Sequence, residues 1–411
     1  MMLTTDSRLL FATRSIRLFA YGFLSVVLVL YLAKLGFSET AIGILLTCTL
    51  IGDTLISLWL TTVADRLGRK RMLVIGAVLM VLAGIFFAFS SNYFVLLAAA
   101  TLGVISPSGN EVGPFLPIEQ AALSQSIDDQ HRTGVFAWYN LVGSFATALG
   151  ALTSGWLAHG LTSAGVAPLS AYRIVLIGYA VAGAVLFMLF IRLSSAIEAP
   201  PPSTPTEQRT GDSLFGLHHS QSVVLKLSGL FALDAFGGGF VIQSIVAYWF
   251  YVRFGVSVAT LGTLFFAANI LAGFSALAAA RIASRFGLIN TMVFTHIPSN
   301  VLLMLVPLMP NLPLAIAVLL VRFSISQMDV PTRQSFVMAV VRPEERSAAA
   351  GITGVARTTG SALAPIFTGL LMSHPALFNA PFFLAGGLKI VYDLLLYKAF
   401  KTIQPAGEHT T

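Results

Sequence analysis

The chain is poor in charge and nearly devoid of cysteine. Only 10% of its 411 residues are Asp, Glu, Lys or Arg, while 56% are hydrophobic. A soluble domain is nearer a quarter charged. The 24 Lys and Arg with 17 Asp and Glu are therefore too few to cover a water-facing surface of this size. That shortage excludes a soluble enzyme, a nucleic-acid-binding domain and a disordered chain. Cys48 stands alone, which excludes an intrachain disulfide and a thiolate metal cage. It reads as a small packing residue. No stretch has the form G-x-x-x-x-G-K-[ST], so ATP is not the expected driver. No cluster of His, Cys and acidic residues has the spacing of a metal or catalytic site, so no metal, no cofactor and no enzymatic activity is expected.

What the chain has in abundance is long apolar runs. A membrane span needs about 20 apolar residues. Twelve such runs are legible, at roughly 18–34, 41–63, 72–89, 93–122, 133–157, 172–192, 227–251, 258–280, 289–309, 313–340, 347–372 and 379–399. Pro310, Asn311 and Pro313 punctuate one connection, and Ser373, His374, Pro375 and Asn379 another. Arg8, Arg14 and Arg17 precede the first run, but no small-residue cleavage site follows it, so it reads as a span rather than a signal peptide.

The positive-inside rule sets the orientation. With both termini cytoplasmic, seventeen of the 24 Lys and Arg fall on the cytoplasmic side, Arg14 and Arg17 among them. Only Lys34, Arg173 and Arg253 fall outside, and Arg322, Arg333, Arg357 and Lys389 lie within spans. The net charge of +7 is thus mostly a topological signal. The expected placement is multi-pass in the plasma (inner) membrane.

The longest polar stretch holds Pro200, Pro201, Pro202 and Pro205, then Gly211, His218 and His219. It has linker composition and no periodic apolar face. The expected organisation is an N-terminal six-helix bundle over 1–194, a cytoplasmic linker over 195–224, a C-terminal six-helix bundle over 225–404 and a tail over 405–411. The two halves repeat. A shift of 219 residues pairs Lys34 with Arg253, Gly36 with Gly255, Ser38 with Ser257, Gly43 with Gly262, Arg66 with Arg285 and Gly68 with Gly287. A shift of 214 pairs Pro117 with Pro331, Gln120 with Gln334, Arg132 with Arg346 and Gly155 with Gly369. A parallel repeat of six spans is the pattern of two bundles rocking about a central cavity.

Between spans two and three lies Asp65-Arg66-Leu67-Gly68-Arg69-Lys70-Arg71. This run resembles the signature loop of the major facilitator superfamily, with Thr61 standing where the family usually has glycine. The second-half copy, Ser284-Arg285-Phe286-Gly287, lacks the acid and the basic run. The resemblance covers about residues 8–404. It implies an all-α membrane protein with 12 transmembrane helices in two pseudo-symmetric six-helix bundles. It also implies cytoplasmic termini and a substrate path lined mainly by helices 1, 4, 7 and 10. In the family the loop acid, here Asp65, faces the N-terminus of helix 11, here near Ser347. Helix 5 carries Gly143 and Gly150 but no Gly-Pro pair of the drug-antiporter type. Helix 4 has no early Arg, and the linker lacks the Pro-Glu-Ser motif of sugar porters.

Asp53, Glu111, Glu119, Asp234, Asp329 and Asp393 fall inside spans with the four bases. Each such charge costs about 2.5–3.5 kcal/mol at a helix centre, so intramembrane ions must pair, neutralise or face a wet cavity. Helix 4 carries Pro107, Pro114 and Pro117 with Gly109 and Gly113, a backbone tolerated at membrane depth only against protein or water. Glu111, Glu119 and mid-helix Asp53 are the candidate proton carriers. Asp53 reads equally as a hydrogen-bonded packing residue. Asn110, Tyr139, Asn140, Arg322, Asp329 and Arg357 are candidate substrate contacts, with Trp138, Tyr139 and Asn140 forming an amphipathic wall. The 214 shift sets Glu119 opposite Arg333, a candidate gate; an Asp329–Arg333 pair at i,i+4 competes with it. Arg14 and Arg17 with Asp234 form a second candidate gate, or the two arginines snorkel to lipid phosphate. Lys389 and Asp393 are expected to pair at i,i+4.

The reading is a secondary active transporter using alternating access. It moves a small polar or amphiphilic organic solute, with protons as the coupling ion and efflux favoured over uptake. An uncoupled facilitator and a lipid-moving or receptor-like protein are the alternatives. Its partners are the lipid bilayer, the solute and protons, with no nucleic acid, and it is expected to act as a monomer. Transport by the Glu119→Arg/Arg333→Glu double swap separates the Glu119–Arg333 gate from the i,i+4 pair: rescue is expected of the gate, and a double swap without rescue argues against it.

Overall fold

The computed structural model describes residues 4–125, 129–198, 220–342 and 345–401. The side chains of Asp65, residues 129–134, Ala137 and Ser347 lie outside the description. So do His218, His219, most of the 195–224 linker and the 405–411 tail.

Among the described residues there are helices and turns but no strand. Twelve helical passes follow one another. Eight are continuous: α3 (Glu39–Leu67), α4 (Arg69–Phe89), α7 (Asp129–Ser163), α8 (Pro168–Phe190), α11 (Val258–Phe286), α12 (Leu288–Leu305), α15 (Arg346–Met372) and α16 (Ala380–Phe400). Four are broken. The first consists of α1 (Thr5–Ser25) and α2 (Leu28–Lys34), and the fourth of α5 (Tyr93–Leu102) and α6 (Phe115–Gln125). The seventh consists of α9 (Gln221–Gly239) and α10 (Gln243–Phe254), and the tenth of α13 (Leu312–Phe323) and α14 (Asp329–Val340). The breaks recur every third pass.

Among the described residues, nine of these passes are long and apolar enough to cross a membrane. The fourth and tenth passes contribute only short apolar helices, Tyr93–Leu102 and Leu312–Phe323, because their second halves carry the charged residues. Large apolar side chains face outward along the passes: Phe89 is 74% exposed, Phe94 75% and Leu55 62%. Hydrocarbon solvates such a surface, and water does not.

The repeat is visible in local backbone chemistry. Ser38 caps α3 by accepting the Ala41 N–H, and its mate Ser257 accepts the Thr260 N–H at the start of α11. Gly36 and Gly255 end α2 and α10 in positive-φ conformations (89° and 64°), and Gly68 and Gly287 do the same after α3 and α11 (104° and 83°). Glycine adopts these angles without a Cβ clash, which is why it recurs where helices stop.

Hydropathy begins the first span near residue 18, but α1 starts at Thr5, with Thr4 accepting the Ser7 N–H as cap. The run-in was hidden because Arg14 and Arg17 look like cytoplasmic flanking charge. In the fold they are buried, 6% and 0% exposed, so they neither snorkel nor count toward the topological charge.

The chain forms two compact units: Met1–Ser203 with Ile242–Asn269, and Thr204–Val241 with Ile270–Thr411. In the first unit α1 packs on α7 and α4 on α8. Segment 242–269 joins this unit through polar contacts. Gln243 Nε2 donates to Ser25 Oγ (2.7 Å), the Ser244 N–H to the Pro107 carbonyl (3.2 Å), and Tyr248 Oη to Glu39 (2.7 Å). In the second unit α9 packs on α15 and α12 on α16. Its apolar core includes Phe231, Met292, Phe336, Tyr392 and Phe400.

Helices α1 and α7 cross on glycines. A Cβ at Gly150 would lie 2.8 Å from the Phe19–Phe23 turn at the Phe23 nitrogen, and one at Gly22 would strike the Thr147 carbonyl. Small residues at such crossings let backbones approach in the bilayer. Gly150→Val is expected to cost about 1–3 kcal/mol through overpacking. Gly160→Val, whose Cβ meets open space, serves as the near-neutral control. Thermal unfolding of the purified protein checks both.

Candidate functional site

Two buried charge networks occupy the broken passes, one in each unit.

In the first unit, Arg17 on α1 donates both terminal nitrogens to Glu119 on α6 (2.8 Å each) and its Nε to Glu111 (2.7 Å). Arg14, one turn earlier, donates to Glu111 (2.8 Å), to the Tyr139 carbonyl (2.8 Å) and to Asn140 Oδ1 (3.1 Å). Thr13 Oγ1 donates to Glu119 (2.8 Å), and the Tyr139 hydroxyl donates to its other oxygen. Two arginines thus face two glutamates, and the fork-to-fork geometry of Arg17 with Glu119 is the strong form of such a pair. The two acids differ. Glu119 is fully buried and accepts four hydrogen bonds, whereas the Glu111 side chain is 16% exposed and accepts two.

Glu111 stands on the non-helical segment 103–114 of the fourth pass. Backbone left unpaired inside a membrane costs several kcal/mol per group, and neighbours satisfy this stretch. Tyr179 Oη donates to the Val104 carbonyl (2.6 Å), Ser106 Oγ to Asn110 (2.7 Å) and Tyr21 Oη to Val112 (3.0 Å). The Gly113 N–H donates to Asp53 Oδ1 (2.6 Å). The same position in the repeat is Gln327, whose N–H donates to Ser275 Oγ on α11 (3.2 Å). In both halves a side chain of the second helix of the repeat therefore holds the break of the fourth.

In the second unit, Arg333 on α14 bridges Asp329 (2.8 Å) and Asp234 on α9 (3.2 Å). Lys389 Nζ on α16 donates to Asp234 (2.6 Å). His296 on α12 lies 2.9 Å from Asp393 through Nδ1 and 3.9 Å from Asp234 through Nε2. Asp393 also takes the Asn300 amide (3.5 Å). The i,i+4 pair expected between Lys389 and Asp393 is replaced by these partners, because Asp234 and His296 from neighbouring helices reach the two side chains first.

The expected site residues separate accordingly. Glu111, Glu119, Arg14, Arg17, Tyr139 and Asn140 share one network, and Asp234, Asp329 and Arg333 share the other. Glu119 and Arg333, and likewise Arg17 and Asp234, are each engaged inside their own unit. Of the expected aromatic wall, Trp138 is 64% exposed and Tyr139 is wholly buried on Glu119, because successive helical residues point about 100° apart. Asn110 and Asn140 are exposed beside the Glu111 network. Asp53 supports the broken backbone. Arg322 and Arg357 are half-buried and join neither network.

In the signature loop, Gly68 makes the positive-φ turn and Arg66 is exposed, while the side chains of Asp65 and Ser347 lie outside the description. The Arg69 N–H donates to Glu198 (2.6 Å), and Lys70 Nζ donates to the Leu193 carbonyl (2.7 Å). An acid at a helix N-terminus is electrostatically favoured. Glu198, Thr13, His296 and Asn300 escape sequence inspection. His296 at least is detectable, as an ionisable residue within an apolar run.

Comparison with known proteins now bears on this arrangement. The model of the Major Facilitator Superfamily matches residues 10–328 and 227–410. The chain belongs to the Major Facilitator Superfamily. An uncharacterized membrane protein of Saccharomyces cerevisiae, YJR124C, is 32% identical over 95% of this chain and 93% of its own length. The quinolone resistance protein NorA of Staphylococcus aureus is 25% identical over 138 residues, 34% of each chain. The crystal structure of a single-site mutant of the nucleoside transporter NupG superposes with a TM-score of 0.75 at 14% identity, covering 96% of this chain and 100% of that one. The fold is thus that of the superfamily: a multi-pass integral membrane protein of a transporter family, all-helical among the described residues.

The Asp53 contact yields a test. Asp53→Ala leaves the Gly113 N–H without an acceptor and is expected to cost about 1–3 kcal/mol. Asp53→Asn keeps an oxygen at the same place and is expected to recover most of that loss in thermal unfolding.

Proposed function

We propose that this superfamily member is a proton-coupled secondary active transporter that exports a small polar or amphiphilic organic solute by alternating access. It works as a monomer in the plasma (inner) membrane with both termini cytoplasmic and takes no nucleic acid. Its halves, 1–194 and 225–404, are joined by the 195–224 linker. The observation that carries the reading is Glu111: a part-exposed carboxylate on non-helical backbone, bridging two otherwise buried arginines.

Chemistry at Glu111 explains the coupling. Ionised, it balances Arg14 and Arg17 together with Glu119. Protonated, it leaves two guanidinium groups facing a single carboxylate in a low-dielectric site, where a missing counter-charge costs several kcal/mol. The network then favours a different arrangement of segment 103–114, which has no helical ladder to resist displacement. Glu119, saturated by Arg17, Thr13 and Tyr139, holds the network together rather than releasing it. Asp53 acts as the brace for the segment. Asn110 and Asn140, exposed next to Glu111, would feel the solute there, so proton and solute occupancy are linked through one stretch of chain.

A ligand found by thermal stabilisation across metabolite and drug panels at two pH values supplies the transport assay. In proteoliposomes carrying that ligand, Glu111→Gln is expected to abolish accumulation driven by a pH gradient while leaving ligand exchange at equal pH intact. Full gradient dependence in Glu111→Gln overturns the assignment. Gradient-independent transport by the unaltered chain makes the protein an uncoupled facilitator.

A further inference from the structure

The second unit carries more cations within its membrane passes than its own acids there serve. The carboxylates within its membrane passes are Asp234, Asp329 and Asp393, and each is engaged: Asp234 by Lys389 and Arg333, Asp329 by Arg333, and Asp393 by His296. Arg322 and Arg357 are left over. Among the described residues neither forms an ion pair or a hydrogen bond, and each has a buried Nε–H with no acceptor. The Arg322 guanidinium lies over the face of Phe323, 5.0 Å from the ring centroid. Asp329, on the same pass as Arg322, is already bonded to Arg333.

Lipid phosphate is out of reach for both. Arg322 lies ten residues into the tenth pass and Arg357 eleven residues into α15, about 15 Å along each helix at 1.5 Å per residue. Arg322 also ends α13 at the break of a discontinuous pass, where transporters of this build offer backbone and side chains to solute. An arginine held at membrane depth without a counter-ion is costly, and an anion bound by such a group removes that cost. Guanidinium matches carboxylate, sulfonate and phosphate oxygens through paired N–H donors.

We propose that Arg322 and Arg357 are the recognition groups for an anionic head on the transported solute, so that the substrates of this carrier are organic anions. This rests on the transporter reading above and narrows its substrate class. It also divides labour between the units, with the closed network around Glu111 handling the proton and the cation surplus of the second unit handling the solute's charge.

Thermal unfolding of the purified full-length chain tests the proposal in two steps. Without ligand, Arg322→Gln and Arg357→Gln are expected to leave the melting temperature unchanged or raised, while Arg333→Gln, which strips Asp329 of its partner and leaves Asp234 with Lys389, lowers it. Equal destabilisation by all three overturns the claim that the first two lack internal partners. The second step uses matched probes that differ in head charge: benzoate, benzamide and benzylamine; uridine monophosphate and uridine; glucose 6-phosphate and glucose. An anionic member is expected to stabilise the chain beyond its neutral mate, with an affinity falling at least about tenfold, or 1.4 kcal/mol, in either variant. Preference for a neutral or cationic member, no response to any anion, or an anion response that survives both substitutions overturns the assignment. A neutral probe that stabilises the chain and is carried into proteoliposomes would defeat the anion proposal and leave the transporter reading standing.

Discussion

The bidentate bond between Arg17 and Glu119 is the interaction on which the first unit turns. Both side chains are 0% exposed, in a part of the protein surrounded by apolar helices. Isolated, either charge would be untenable there; joined, they tie α1 to α6 and fix where the fourth pass resumes its helix. Thr13 and Tyr139 consume the remaining capacity of the carboxylate, so the pair is locked on every side. Removing either charge strands the other, which makes this contact structural as well as electrostatic. Glu111 then enters a pre-assembled site as its only part-exposed acid.

A second constraint is the satisfaction of the backbone where passes are interrupted. Segment 103–114 is stable because Tyr21, Tyr179, Ser106 and Asp53 answer its carbonyl and amide groups. The pairing of Gly113 with Asp53 has its counterpart at Gln327 and Ser275, with a neutral hydroxyl replacing the acid. The two halves thus keep one architectural solution while exchanging its chemistry. That exchange is a physical trace of duplication followed by specialisation. Symmetry survives where backbone geometry demands it, at Gly36, Gly68, Gly255 and Gly287, and is lost where charge is used.

The charge arrangements of the two units differ in kind. The network of the first is closed, with two bases on two acids and a single part-exposed acid. The second spreads three engaged carboxylates over Arg333, Lys389 and His296 and leaves two arginines outstanding. A closed network suits the gain and loss of one proton, because one protonation changes its balance completely. An open one suits an external counter-ion. Family membership by itself supplies neither property, since one fold carries many solutes.

The number of passes, the internal repeat and the family were legible in the sequence because they rest on period, hydropathy and glycine spacing, which are local and additive. The charged residues that matter were legible as a set, since an ion inside an apolar run announces itself. Their partners were not. Asp329 and Arg333 lie four apart on one helix, and their pairing follows from helical period alone. Arg17 and Glu119 are 102 positions apart, and Lys389 and Asp234 are 155 apart. Arg14 and Arg17 read as surface charge until α6 and α7 close around them, and Lys389 reads as the mate of Asp393 until α9 and α12 arrive. Sequence alone therefore determined which residues must be buried, where the chain must cross and where it must turn. Only the tertiary structure decided which ion meets which, because Coulomb energy in a low-dielectric interior depends on distances of a few ångströms that packing sets and composition does not.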